Sequence, residues 1–361
     1  MTTLWEAAGV RVRLEDAVAR LRVGDPRAAL AGASAVLAEL DRAVEPGVGD
    51  EVAVVECLLV VGRCHLALAD HPAARAALEG AWQAAVDLDE PLVVAQTLAA
   101  LGAQDRIEGR YRDAHLRLGT AIAQATSAAG EDSVVVACLR NELAITCKHL
   151  ALFDQAEALY NQALATLETH LGAVHPEVAG VLHNLAGLAH ARGNLPGAAE
   201  LARCGLAIRV AALGEHHLDV AADRAALAPI LDALHRPEEA EQLLHQALGV
   251  FETVLGADHY EIAVSLHNLG AIYHKRGDLD AAATAYRRSL DIRANVLGHD
   301  HPELATTLVN LGVLERSRGH SHAAGNALRR AIELLEPAVP HDHPTLTAAR
   351  QEHDQLVSYI T

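Results

Sequence analysis

Apolar residues recur along most of the chain at i, i+3, i+4 and i+7, the spacing that lays one stripe along a helix. In the stretch opening near His175 the stripe is Val178, Val181, Leu182, Leu185 and Ala189. Arg192-Gly193-Asn194 interrupts it, and a second stripe runs through Ala198, Leu201, Leu206 and Ile208 as far as Leu213-Gly214. A glycine just past the last apolar residue marks a helix end, because it enters the positive-φ region without steric cost. The pattern predicts two helices joined by a tight turn.

The same pattern repeats. An alanine recurs every 42 residues at Ala53, Ala95, Ala137, Ala179, Ala221, Ala263 and Ala305, and a leucine in the same frame at Leu59, Leu101, Leu143, Leu185, Leu227, Leu269 and Leu311. The residue after each leucine is small or valine: Val60, Gly102, Ala144, Ala186, Ala228, Gly270 and Gly312. Small residues there, and at Ala156, Ala198, Ala240, Ala282 and Ala324 on the second helix, let antiparallel helices approach closely. One hairpin cannot cover its own apolar stripe, whereas stacked neighbours can, so the expectation is a single solenoid over 1–361. About eight hairpins are expected, starting near residues 10, 50, 91, 133, 175, 217, 259 and 301, the first with a turn at Gly24-Asp25-Pro26. The segment 343–361 reads as a capping helix.

Composition narrows the function classes. Aromatic residues make up only 3% of the chain, which argues against a sheet protein. Lys and Arg number 29 against 47 Asp and Glu, a formal charge of −18, with lysine only at Lys148 and Lys275. Nucleic-acid binding needs clustered cations and is not expected. No apolar run approaches the roughly 18 residues of a membrane span, and the opening residues lack a signal-peptide pattern, so the expectation is a cytoplasmic protein with no membrane contact. Five cysteines without a C-x-x-C pair point to reduced thiols.

The chain resembles the tetratricopeptide repeat family, specifically the 42-residue variety of kinesin light chains. The residues that carry the resemblance are Leu171-Gly172, His175-Pro176-Glu177-Val178-Ala179, Asn184-Leu185-Ala186, Arg192-Gly193 and Ala198, and again Leu297-Gly298, His301-Pro302-Glu303-Leu304-Ala305, Asn310-Leu311-Gly312, Arg318-Gly319 and Ala324. The resemblance implies an all-α, right-handed superhelix whose first helices line a concave groove. It also implies ligand contacts two before, one before and five after the repeated leucine. Those positions give Asn141, His183, Asn184, His267, Asn268 and Asn310, with Arg106, Lys148, His190, His274 and Arg316 in the third column.

Asparagine can hold an extended backbone with paired donor and acceptor, and Lys or Arg can take carboxylates. The leading expectation is a non-enzymatic interaction scaffold for an extended, partly acidic peptide, with no cofactor. Two alternatives stay open. The asparagine column can serve the repeat itself by bonding to the neighbouring helix, and the histidine-rich groove can serve a small-molecule- or metal-dependent sensor or enzyme. No recognised catalytic motif is present.

The column His175, His217, His259, His301 and His343 stands just before each first helix and is expected to satisfy free helix-start donors. His183 with His190, and His267 with His274, are about 10.5 Å apart along a helix, too far to share a metal. His299-Asp300-His301 and His341-Asp342-His343 lie one repeat apart and are weak metal candidates. Pro229 inside a first helix should kink it, and Ala225-Ala226 and Asp232 make this sixth unit a candidate divider of the groove. Groove histidines with ordinary pKa values near 6.5 would tighten an acidic peptide between about pH 7.5 and 6.

Overall fold

The computed structural model of the chain describes residues 2–22, 25–42, 48–68 and 70–360. Every element among them is an α-helix, as the periodicity predicts. The first helices of the hairpins are α1 (Thr2–Arg22), α3 (Val48–Ala67), α5 (Pro91–Ile107), α7 (Val134–His149), α9 (Pro176–Ala191), α11 (Leu218–Ala233), α13 (Tyr260–Arg276) and α15 (Leu304–Ser317). The second helices are α2 (Pro26–Leu40), α4 (His71–Asp87), α6 (Tyr111–Ala129), α8 (Phe153–Leu171), α10 (Leu195–Leu213), α12 (Pro237–Leu255), α14 (Leu279–Leu297) and α16 (Ser321–Leu335), and α17 (Pro344–Ile360) ends the series. Of the turn expected at Gly24-Asp25-Pro26, Gly24 lies outside the described residues; Asp25 caps α2 by accepting the Ala28 N–H at 3.1 Å.

Two compact units make up the chain, Met1–Leu143 and Ala144–Thr361. In the first, consecutive helices α1 to α6 pack on one another, and α3 touches both α1 and α5. In the second, α9 with α10, α11 with α12, α13 with α14 and α15 with α16 form hairpins, and α9, α11, α13, α15 and α17 touch in succession. Leu346, Ala349 and Leu356 bury the inner side of α17.

The histidine column does what its position predicts. His175, His217 and His259 stand at the N-caps of α9, α11 and α13, and each Nδ1 accepts the N–H two residues on, at 3.2, 3.1 and 3.3 Å. His301 and His343 accept from Glu303 and Thr345 in the same way, both at 3.2 Å. Each removes one of the donors that a helix start leaves without an intrahelical partner.

The small-residue column marks where each pair of helices comes closest. A Cβ added to Gly270 would stand 2.7 Å from Tyr286 Cδ1, one on Gly312 2.7 Å from Leu328 Cγ, and one on Gly102 2.9 Å from Leu118 Cγ. The facing residue is always sixteen positions later. This fixes a correction: the member of the column in the second hairpin is Gly62, whose added Cβ would lie 2.6 Å from Leu78 Cδ2. Val60 is instead buried against Leu14, Ala17 and Ala33. Gly62 precedes Gly102 by 40 residues rather than 42, so this hairpin is out of frame with the rest.

Candidate functional site

The positions expected to face a ligand are on first helices that lie side by side, and much of their hydrogen-bonding capacity is used between neighbouring repeats. His183 on α9 bonds through Nδ1 to Asp223 on α11 at 2.6 Å, and Arg209 holds the same carboxylate oxygen at 2.7 Å. One repeat pair further on, His267 Nδ1 meets Thr307 Oγ1 at 2.9 Å. Both contacts run from the position two before the leucine to the position four before the next one.

The asparagine column points the other way. Asn310 Nδ2 lies 3.4 Å from His267 Nε2, and Asn268 Nδ2 donates to the Ala225 carbonyl at 3.5 Å. The second contact has a specific origin. Pro229 has no N–H to give the carbonyl four residues before it, and that carbonyl belongs to Ala225. Asn268 supplies the missing donor, and α11 runs on past Pro229 to Ala233. At these two positions, the role within the repeat is the one observed.

The cationic column is tied in by the same logic. Arg106 reaches Glu142 at 3.7 Å in the first unit, where Asn141 is half-buried beside it. Arg316 pairs with Glu352 of α17 and contacts Gln355 Oε1 at 3.5 Å. Lys275 reaches Asp232 at 2.5 Å. Lys148 extends over α9, its Nζ 3.3 Å from where a Cβ on Gly187 would stand, one turn from His190. Asn184 and His274 are half-buried on the same set of helices.

Burial works against the charging of three of the groove histidines. Burial, with added repulsion from Lys148 and Lys275, lowers the pKa of His190. His274 is lowered by burial alone. His267 falls to about 3 through burial and the charge of Arg293. His267 therefore does not gain charge between about pH 7.5 and 6, and the downward shifts of His190 and His274 work against the expected tightening there.

The His-Asp-His loops are held by arginines: Arg330 takes the Asp300 carboxylate and the His299 carbonyl, and Arg350 meets His341 Nε2 at 3.2 Å. Among the described residues no group of three or more His, Cys, Asp or Glu side chains is placed to hold a metal ion, and no helix is long and apolar enough to cross a membrane.

Models of the tetratricopeptide repeat match residues 139–177, 178–219, 227–295 and 261–336, more than half of the chain. The chain belongs to the tetratricopeptide repeat family. No curated protein matches it. Among solved structures it is similar to a Rap protein complexed with competence and sporulation factor, at 16% identity and a TM-score of 0.64, over 98% of this chain and 99% of that one. It is also similar to BtubC (BKLC) from P. vanneervenii, at 24% identity and a TM-score of 0.54, over 63% of this chain and 91% of that one. NprR in complex with its cognate peptide NprX gives 13% identity and a TM-score of 0.53, over 97% and 83%. These likenesses show the fold.

Two of these tetratricopeptide repeats also bury a carboxylate that sequence reasoning missed. Asp105 is 1% exposed and meets Arg75, Arg110 and Arg117 at 2.6 to 2.8 Å. Glu315, five periods later at the same place in the repeat, is 2% exposed and meets Arg287, Arg318 and His320. Burial works to raise the Glu315 carboxyl, but the bond to His320 and the charges of Arg318 and Arg287 win and hold it below its usual range. The signal was available: a charged residue where the other repeats have Cys147, Ala189, Leu231 and Tyr273.

Proposed function

We propose that the chain is a non-catalytic repeat scaffold that binds an extended, partly acidic peptide along the first-helix face of its second unit. One observation carries this reading: in a chain with formal charge −18 and only two lysines, the Lys148 ammonium extends over α9 about one turn from His190 on the first-helix face. A positive potential at one ring, in a protein otherwise rich in carboxylates, is the electrostatic counterpart of an anionic group on a ligand. Asn184, Asn268 and Asn310 bring amides to this face from α9, α13 and α15. NprR, with which the chain shares its fold, was solved with a peptide bound. The competing metal or small-molecule reading would need the groove histidines, and two of them are already engaged by Asp223 and Thr307. Five cysteines outside any disulfide fit a reducing compartment and hence a cytoplasmic location.

The test is to pan a random peptide display library against the immobilised protein and to titrate the enriched peptides. Acidic peptides should dominate, and Lys148→Ala should weaken them about tenfold, the worth of one charge-assisted hydrogen bond. Enrichment without acidic bias, or equal affinity for the variant, would refute the reading.

A further inference from the structure

His183 and His267 hold the same place in the repeat, two repeats apart, and the chain completes the hydrogen bonding of only one. His267 Nδ1 meets Thr307 Oγ1 at 2.9 Å, and the Asn310 Nδ2 amide lies 3.4 Å from its Nε2. His183 Nδ1 meets Asp223 at 2.6 Å. The residue that stands to His183 as Asn310 stands to His267, 43 positions on, is Ala226, which has no polar side chain. His183 Nε2 accordingly has no hydrogen bond among the described residues, and it reaches solvent, the side chain keeping 29% of its surface.

The carboxylate decides what the open nitrogen does. Asp223 is 3% exposed, and the oxygen that meets His183 also takes Arg209 at 2.7 Å. A carboxylate held by a guanidinium accepts hydrogen bonds and gives none, so the hydrogen of the His183 ring belongs to Nδ1. In the neutral ring, Nε2 then carries a lone pair and accepts. Residues of α9, α10 and α11 fix this orientation together. Thr307 imposes no such choice on His267, since a hydroxyl both donates and accepts. There the Asn310 amide stands as donor, and the pair shows which chemistry completes a ring at this place in the repeat.

We infer that His183 Nε2 accepts a hydrogen bond from a side-chain carboxamide of the ligand, which takes the place that Asn310 fills beside His267. Ala226 leaves the room, because it lacks the amide of an asparagine and is half-buried on α11. The inference rests on the reading of this face as a surface for an acidic ligand, and adds to it a neutral point of recognition. Lys148 Nζ lies beside Gly187, one turn along α9 from His183, or about 6 Å at 1.5 Å per residue. Two residues of an extended chain span about that distance. The ligand therefore carries its Asn or Gln two positions from its Asp or Glu.

The probe is the random peptide display library, panned against the full chain and against Ala226→Asn, with circular dichroism to check both folds. Asparagine already stands in this column at Asn184, Asn268 and Asn310, so the repeat accepts it. On the wild type, acidic peptides should carry Asn or Gln two positions from the acid, and exchanging that residue for the similarly shaped Leu should weaken them about fivefold, the worth of one hydrogen bond. In Ala226→Asn the new amide takes Nε2, and the preference for carboxamide should vanish while the preference for the acid stays. Acidic peptides with no Asn or Gln at that spacing, Lys or Ser enriched there instead, or a carboxamide preference that survives Ala226→Asn overturns the inference and leaves the acidic-ligand reading in place. Enrichment without acidic bias refutes that reading, and this inference with it. Nitrogen nuclear magnetic resonance of the free chain at about pH 8, where histidine is ordinarily neutral, should find the His183 hydrogen on Nδ1 and none on Nε2. A hydrogen on Nε2 overturns the inference whatever the library returns.

Discussion

Gly270→Ala tests whether the small-residue column acts by geometry. The added Cβ would lie 2.7 and 2.8 Å from Cδ1 and Cε1 of Tyr286, where ordinary contact begins near 3.4 Å, so α13 and the ring must separate by about 0.7 Å. Tyr286 is 1% exposed and has no solvent to turn into. Overpacking of this kind costs about 1–3 kcal/mol, against which alanine regains about 1 kcal/mol of helix propensity. The net expectation is a loss of about 1 kcal/mol. Gly249→Ala is the control: nothing lies within 4 Å of its added Cβ on α12, so only the propensity gain of about 1 kcal/mol applies there. Urea unfolding followed by circular dichroism should therefore move the two midpoints in opposite directions. Combining Gly270→Ala with Tyr286→Ala should cost less than the separate losses added, because removing the ring removes the clash. If Gly270→Ala stabilises as much as Gly249→Ala, the close approach is not what selects a small residue in this column.

Two further predictions concern titration and buried charge. His267 binds its proton near pH 3 when folded and near 6.5 when unfolded, so acid favours the unfolded chain between those values. Its share of stability is complete above about pH 6.5 and falls by about 1.4 kcal/mol for each pH unit below it. Nuclear magnetic resonance should find the His267 ring neutral at about pH 5, and titration near its reference value of about 6.5 would refute the burial argument. Glu315→Gln removes the counter-charge of the Arg287 and Arg318 guanidinium groups and should cost about 3 kcal/mol at neutral pH. Because the Glu315 carboxyl is held below its usual range when folded, its contribution is present above the unfolded pKa of about 4.5 and lost as pH falls further. The deficit of the variant in urea unfolding should shrink accordingly in acid, and a deficit independent of pH would count against the charge network.

What could be read from the sequence divides along a physical line. Period, hairpins and helix caps follow from residues that recur in the repeats: the buried leucine, the small neighbour and, from His175 onward, the capping histidine. A single copy is ambiguous, but six in register are not. The second hairpin was misaligned because Val60 and Gly62 are both compatible with an inward position, and only the approach of Leu78 distinguishes them. The cross-repeat bonds of His183, His267, Asn268 and Asn310 depend on offsets of 40 and 43 residues, set by the stacking of helices rather than by periodicity within one. Asp105 and Glu315 were missed because a carboxylate on a helix ordinarily reads as a solvated face.

The two first-helix faces consequently offer a ligand different terms. On the second unit, an incoming carboxylate that approaches Lys275 or Arg316 must displace Asp232 or Glu352, and the displaced group has to find new solvation or a new partner. The gain is a difference between two similar ion pairs, small in affinity but sensitive to shape, because only a ligand that also satisfies the flanking amides recovers what it breaks. On the first unit, Arg63 pairs with no carboxylate among the described residues. On the proposed reading the second-unit face thus selects among acidic ligands by exchange of ion pairs. The difference arises from which repeats place a carboxylate within reach of the neighbouring cation.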